Sequence, residues 1–150
     1  MQTIEEILAQ HDFFRDMDPV YLKLLAGCGM NVRFDPGDYL FKEGEPANTF
    51  FLIRHGQVAV ELYDPRRGQL PIDTAGENEV LGWSWLYPPY KWHFSARAVS
   101  LTRAIAMDGK CLRDKCDADH DLGYDLMRRF ALIIIDRLQA TRLQVLDVYG

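Results

Sequence analysis

Short β-rich runs separated by turn residues fill the middle of this chain. From about Asn31 to Met107, Gly, Pro, Asn and Asp recur roughly every eight to twelve residues between runs of β-branched and aromatic residues. This rhythm is typical of a β-sandwich or barrel, because each short strand must be followed by a reversal of the chain. The clearest strands are predicted at Thr49–Arg54 and Gln57–Tyr63, with a tight hairpin turn at His55-Gly56 between them.

Helical patterns lie on both sides of the β region. Thr3 followed by Glu6 has the spacing of a capping box and predicts a short first helix. A second helix is predicted from Pro19 to Ala26, and a third begins beyond Asp117 and runs for up to about 30 residues.

The apolar residues of this last helix form two stripes. A helix with one stripe needs only one apolar partner, whereas two stripes must be buried on two sides. The second partner is most simply the same helix of another copy, so we predict a homodimer; the alternative is a helix buried wholly within its own monomer. The stripe with coiled-coil spacing, predicted as the dimer interface, contains Met127, Ala131, Ile134, Leu138, Thr141, Val145 and Val148, and the second contains Leu122, Leu126, Phe130 and Ile133.

The net charge of −5, from 17 basic and 22 acidic residues, repels phosphate backbones on average. We therefore expect no direct DNA binding. The first residues lack the pattern of a signal peptide, and the longest apolar run, Phe130 to Ile135, is far shorter than the roughly 20 residues of a membrane span. These observations predict a cytoplasmic protein without a membrane partner.

The cysteines and histidines indicate no catalytic or metal site. Cys28, Cys111 and Cys116 form an odd set without paired spacing, which favours reduced thiols over a disulfide. The four histidines are scattered, and no nucleophile signature or phosphate-binding loop is present. We predict that the chain is not an enzyme and assign it no metal and no certain cofactor.

Two consecutive segments, Phe34–Ala47 and Phe50–Val58, resemble the first half of a cyclic-nucleotide-binding domain. Their glycines Gly37, Gly44 and Gly56 stand where strands reverse, which often requires positive φ. The resemblance implies a mainly β fold with flanking helices: a double-stranded β-helix (jelly-roll) barrel, short N-terminal helices and a long C-terminal dimerisation helix. The whole chain, 1–150, would form one such domain, with helices in 1–30, the barrel in 31–107 and helices in 108–150.

In this family a phosphate cassette in the second half of the barrel holds the nucleotide with a glutamate and an arginine. The matching stretch here is Leu81–Ala98, in which Gly82 aligns, Trp83 stands at the glutamate position and Trp92 at the arginine position. Lys91 and His93 flank Trp92, but neither restores the arginine fork. The candidate ligand-binding residues are Gly82, Trp83, Ser84, Trp85, Lys91, Trp92, His93 and Arg97.

All three tryptophans of the chain lie within this stretch, which leaves two interpretations open. The rings either form an aromatic pocket for a cyclic nucleotide or another small ligand, or they fill the old pocket. The first predicts a ligand-sensing regulatory module in signal transduction; the second predicts a ligand-free dimerisation or scaffold module.

Crp/Fnr-type transcription factors carry such a sensor ahead of a helix-turn-helix domain. This sequence ends at Gly150, just after the long helix, so we expect the output to pass to a separate effector protein. Transcription regulation through a partner is a further alternative.

Overall fold

The computed structural model describes the backbone of residues 2–149 and the side chains of residues 2–140. The chain forms two compact units, Met1–Asp114 and Lys115–Gly150. The first contains the N-terminal helices and all the strands, and the second contains the last helix.

The N-terminal helices begin where their capping residues predict. Helix α1 (Ile4–Gln10) has the complete capping box of Thr3 and Glu6. A short 3-10 helix at Asp12–Phe14 follows, capped by the His11 side chain. Helix α2 (Pro19–Ala26) has the bounds that the sequence predicts, because the Asp18 side chain accepts from the Val20 N–H and proline occupies the first turn.

Within residues 2–149, eight strands form two antiparallel sheets of four strands each, in the orders β1-β8-β3-β6 and β2-β7-β4-β5. This confirms the mainly β, jelly-roll type of fold. The strands are β1 (Gly29–Phe34), β2 (Tyr39–Phe41), β3 (Thr49–His55), β4 (Val58–Asp64), β5 (Gly68–Ala75), β6 (Val80–Leu81), β7 (Ser95–Ala98) and β8 (Thr102–Asp108).

The predicted hairpin at His55-Gly56 is wrong, because β3 and β4 lie in different sheets and do not pair. The turn is tight, but it carries the chain from one sheet to the other. Gly56 has φ +99°, and a Cβ there would collide with the Leu101 carbonyl oxygen. Local sequence identifies such a turn, whereas the pairing of its strands depends on distant β7 and β8.

The barrel core lies between the two sheets and is unusually aromatic. Strands from both sheets contribute to it, and the segment between β6 and β7 adds two rings. Its buried side chains include Phe41, Phe51, Ile53, Val58, Val60, Leu81, Trp92 and Phe94.

Two cysteines that the sequence predicts as reduced thiols form a disulfide in the structure. Cys28 precedes β1, and Cys111 lies in the first turn of helix α3 (Gly109–Ala118); their Cα atoms are 5.7 Å apart. The Asp108 N–H donates to the Cys28 carbonyl oxygen at 2.8 Å, which brings the two segments together. The prediction fails because the cysteines are 83 positions apart in the sequence and only the folded barrel makes them neighbours. Cys116 is a free thiol.

The long C-terminal helix is α4 (His120–Tyr149), as the uninterrupted pattern beyond Asp117 predicts. Three residues of the second predicted stripe are buried: Leu122, Leu126 and Phe130. Of the predicted interface stripe, Met127, Ala131 and Leu138 are exposed and Ile134 is half-buried. The side chains of Thr141, Val145 and Val148 lie outside the described residues. No helix within residues 2–149 is both long enough and apolar enough to span a membrane.

Candidate ligand cassette

The candidate cassette is the loop of residues 82–94 between β6 and β7. It contains a 3-10 turn at Ser84–Leu86. Backbone hydrogen bonds hold it against the loop between β2 and β3. The Gly44 N–H donates to the Trp92 carbonyl at 2.8 Å, and the Trp92 N–H donates to the Glu45 carbonyl at 3.0 Å. The Ala47 N–H also donates to the Tyr90 carbonyl, so the cassette is fixed at three points along its second half.

Trp92, which the sequence predicts at the position of the family's arginine, lies in the barrel core. Its ring stacks on Phe41 with 3.6 Å between centroids and an interplanar angle of 10°. Phe94 packs edge-on against both rings. Trp92 is only 4% exposed, so its indole belongs to the buried apolar core. We call Phe41, Phe51, Trp92 and Phe94 the aromatic cluster.

Gly82, at the start of the cassette, lies directly beneath the Trp92 ring. Its φ is +103°, and a Cβ at this residue would be 2.6 Å from the Trp92 ring edge. Glycine is therefore required here both for its backbone conformation and for the close approach of the indole. The space next to Gly82 is filled by a side chain of the protein itself.

The other two tryptophans have different environments. Trp83 is half-buried, and its ring lies 6.0 Å from that of Phe94. Trp85 is fully buried and stacks on Phe50, 5.7 Å between centroids, away from the aromatic cluster. The Arg113 guanidinium donates to the Trp85 carbonyl at 2.7 Å. Ser84 is also buried, and its hydroxyl has no hydrogen-bond partner among the described residues.

Neither basic residue beside Trp92 faces the barrel interior. Lys91 and His93 are exposed, whereas Trp92 and Phe94 are buried. This alternation follows the extended backbone that leads into β7. These two predicted ligand-binding residues therefore lie on the solvent side of the cassette.

Arg97 lies on the outer face of its sheet. Its neighbours Ala96 and Ala98 are both buried, so alternation directs the arginine away from the core. Arg97 donates to one Glu61 carboxylate oxygen through two nitrogens, at 3.1 and 3.2 Å. The Tyr39 hydroxyl donates to the other oxygen at 3.3 Å. Arg97 is thus paired within the chain.

Burial of the phenol and the nearby Glu61 carboxylate raise the pKa of Tyr39 above its ordinary value. Tyr39 therefore stays protonated and keeps its donor role toward Glu61. Sequence reasoning did not identify this group of Tyr39, Glu61 and Arg97. A carboxylate in the middle of the predicted strand Gln57–Tyr63 was the available signal, because such a buried group needs a partner.

A cleft of about 490 Å³ lies over the same outer sheet face. None of its residues was a sequence candidate, because they come from four separate strands and one loop. It is lined by Tyr39, Lys42, Glu43, Gly44, Tyr63, Gln69 and Ser95. Its lining combines one cation, one carboxylate and two phenols, so it does not indicate one class of ligand.

The family model described as the cyclic nucleotide-binding domain matches residues 31–119. The chain belongs to the cyclic nucleotide-binding domain family. The match includes all the strands from Asn31 onward and the whole cassette. This agrees with the resemblance in the first half of the barrel, and it supports a regulatory sensor type of domain.

Known relatives resemble the chain over most of its length. It is 25% identical over 145 residues to the CRP-like cAMP-activated global transcriptional regulator of Mycobacterium tuberculosis, covering 97% of this chain. The chain spans 63% of the length of that regulator.

Solved structures show the same fold. A Geobacter metallireducens protein assigned to cyclic nucleotide binding has a TM-score of 0.79 and 27% identity, over 92% of this chain and 99% of the other. A cyclic nucleotide-binding domain from Methylobacillus flagellatus has a TM-score of 0.80 and 20% identity, over 96% and 81%.

Proposed function

We propose that this domain is a regulatory module whose cassette is closed by its own aromatic side chains and that works without a cyclic nucleotide. The observation that carries the proposal is the position of Trp92, which stacks on Phe41 and covers Gly82. A ligand placed beside Gly82 would have to displace a buried indole. Expelling such a ring into water opposes binding by a few kcal/mol.

The charges around the cassette support the same proposal. A cyclic phosphate needs donors that reach its oxygens, and arginine supplies a two-pronged one. Here the family's arginine position holds Trp92, Lys91 and His93 are exposed, and Arg97 is paired with Glu61 on the other sheet face. The family's glutamate position holds Trp83, which removes the acceptor for the ribose hydroxyl.

Cyclic-nucleotide sensing is the second candidate function. It is favoured by the family match and by the relative from M. tuberculosis, whose name describes activation by cAMP. For this function the Trp92 ring must leave the aromatic cluster when the nucleotide enters. Lys91, His93 or Arg97 must then contact the phosphate, and Arg97 would have to give up Glu61.

We also propose that the module forms a homodimer through α4 and passes its signal to a separate effector protein. The exposed apolar residues Met127, Ala131 and Leu138 on one helix stripe support the homodimer. Direct DNA binding is not part of the proposal, and transcription regulation through a partner is one form that the output could take. The cytoplasm is the proposed location, where the Cys28–Cys111 pair would be subject to the reducing thiol pool.

Thermal unfolding with and without millimolar cAMP, cGMP and cyclic dinucleotides separates the two functions. A ligand that binds only the folded protein at 100 times its Kd adds about 2.7 kcal/mol, which for a chain of this size raises the midpoint by roughly 5 to 10 °C. We expect no shift with any of these nucleotides. The regulator from M. tuberculosis, measured in parallel with cAMP, is the positive control.

The variant Trp92→Arg extends this test. It returns the family's phosphate-binding residue to the cassette and removes the ring over Gly82. A nucleotide-dependent rise in the midpoint of the wild-type chain would overturn the proposal and establish sensing. A rise in the midpoint of the variant alone would support the proposal, since the indole would then be the feature that prevents nucleotide binding.

A further inference from the structure

We infer that the outer face of the sheet β1-β8-β3-β6 carries a second ligand site, one that takes a small phosphate-bearing molecule. The site is a cleft of about 390 Å³ lined by Arg33, Arg54 and Arg103, here named the arginine cleft. None of its residues belongs to the cassette loop, so the inference is independent of the proposal for Trp92.

The sheet register forces these positive groups together. Arg33 of β1 and Arg103 of β8 are directly opposite each other in the antiparallel pair. Like charges at directly opposed positions destabilise a sheet. An anion bound between the guanidinium groups would remove this repulsion.

The protein itself supplies little negative charge to the cleft. Arg33 contacts Asp35 at 3.3 Å, but both side chains are well exposed, so the pair contributes little. Arg54 donates to the Asn31 side-chain oxygen, a neutral acceptor, at 3.2 Å. The Arg103 side chain makes no hydrogen bond or ion pair with any residue in the described part of the chain. Its guanidinium is available to a ligand, in a protein whose net charge is −5.

The chemistry of the lining defines the ligand class. Arginine presents paired N–H donors that match phosphate oxygens, and three such groups exceed what one carboxylate needs. Gln2 and Asn31 add amide groups at the same cleft, and Ile7 and Val32 add apolar surface. The volume lies within the range of small-molecule sites. These features fit an organic phosphate or a polyphosphate whose remainder packs on the apolar wall.

Isothermal titration calorimetry with inorganic pyrophosphate tests the site. The wild-type chain is compared with Arg103→Gln, which removes the unpaired guanidinium, and with Arg66→Gln, which makes the same change of charge in the exposed β4–β5 turn. We expect one pyrophosphate per chain, a Kd at least tenfold higher for Arg103→Gln, and a Kd within twofold of wild type for Arg66→Gln.

A second measurement tests the repulsion argument without ligand. Because Arg103 faces Arg33, the Arg103→Gln variant without ligand should unfold at a temperature equal to or above that of the wild type. When pyrophosphate is added, it should raise the unfolding midpoint of the wild type only. The inference is overturned if pyrophosphate does not bind, if Arg103→Gln leaves the Kd unchanged, or if Arg66→Gln weakens binding equally.

Discussion

The Trp92 indole is part of the barrel core, where it stacks on Phe41. In the proposed function this side chain contributes to stability and not to ligand recognition. Its contacts with Phe41 and Phe94 depend on packing between two sheets, so their loss should appear in the free energy of unfolding.

Replacing Trp92 by alanine should lower the free energy of unfolding by about 3 to 5 kcal/mol, because a large buried aromatic side chain leaves a cavity. His93→Ala, the exposed neighbour, is the control and should change it by less than about 0.5 kcal/mol. Urea unfolding of both variants measures the difference. A loss below about 1 kcal/mol for Trp92→Ala would mean that the ring is not packed as described.

His11 couples the stability of the barrel to pH. Its Nδ1 accepts from the Phe13 N–H at 3.2 Å and so caps the 3-10 helix. Burial lowers the pKa of His11 below the ordinary 6.5, and a hydrogen bond with the Ile53 backbone and the nearby Asp12 charge oppose this shift only in part. The folded protein therefore holds His11 neutral, with its proton on the other ring nitrogen.

Acidification should accordingly destabilise the wild-type protein through this residue. As the pH falls below about 6.5, the unfolded chain takes up a proton on His11 before the folded chain does, so the free energy of unfolding decreases. His11→Asn keeps a capping acceptor that does not titrate. Urea unfolding at pH 7.5 and 5.5 should show a larger acid loss for wild type; equal losses would contradict the prediction.

At the scale of elements, the part of helix α4 with described side chains has one buried apolar stripe and a second apolar stripe whose residues are mostly exposed. Leu122, Leu126 and Phe130 are buried in the single chain, whereas Leu138 is 50% exposed. An exposed leucine alone requires no explanation. A stripe of exposed apolar residues with alternating steps of four and three is typical of a helix that pairs with a copy of itself.

Leu138→Glu should dissociate the proposed dimer, because it places an unpaired charge in the helix pair. Leu132→Glu is the matched control: Leu132 is 64% exposed but lies off the stripe, so this variant should remain dimeric. Sedimentation equilibrium gives the mass of each. A Leu138→Glu variant that is still dimeric would show that the stripe is not the interface.

For the whole molecule, the repeated local patterns of the sequence predict the fold well. Gly37 and Gly44 have the positive φ expected at strand reversals, and α2 has its predicted bounds. Local patterns do not indicate which distant segments of the chain contact each other. The disulfide, the change of sheet at Gly56 and the pairing of Arg97 with Glu61 all depend on such long-range contacts. The arginine cleft likewise exists only once the register of β1 and β8 is set.

The disulfide should stabilise the whole barrel. Closing a loop with a sequence separation of 83 restricts the unfolded chain by roughly 4 kcal/mol in the loop-entropy model. Cys111→Ser should therefore lower the thermal midpoint and abolish its sensitivity to reductant, whereas Cys116→Ser should retain that sensitivity. Two results together would contradict the bond: a wild-type unfolding midpoint that does not change with dithiothreitol, and three labelled thiols per chain when the unreduced protein is unfolded.

The same bond makes a closed ring of the segment from Cys28 to Cys111, which contains all eight strands. Arg66 and Arg67 lie in the exposed turn between β4 and β5, where trypsin can cut. A single cut there would open the ring, and the disulfide would still join the two parts of the chain. The nicked protein would keep its mass, apart from one added water, and separate into two fragments only after reduction.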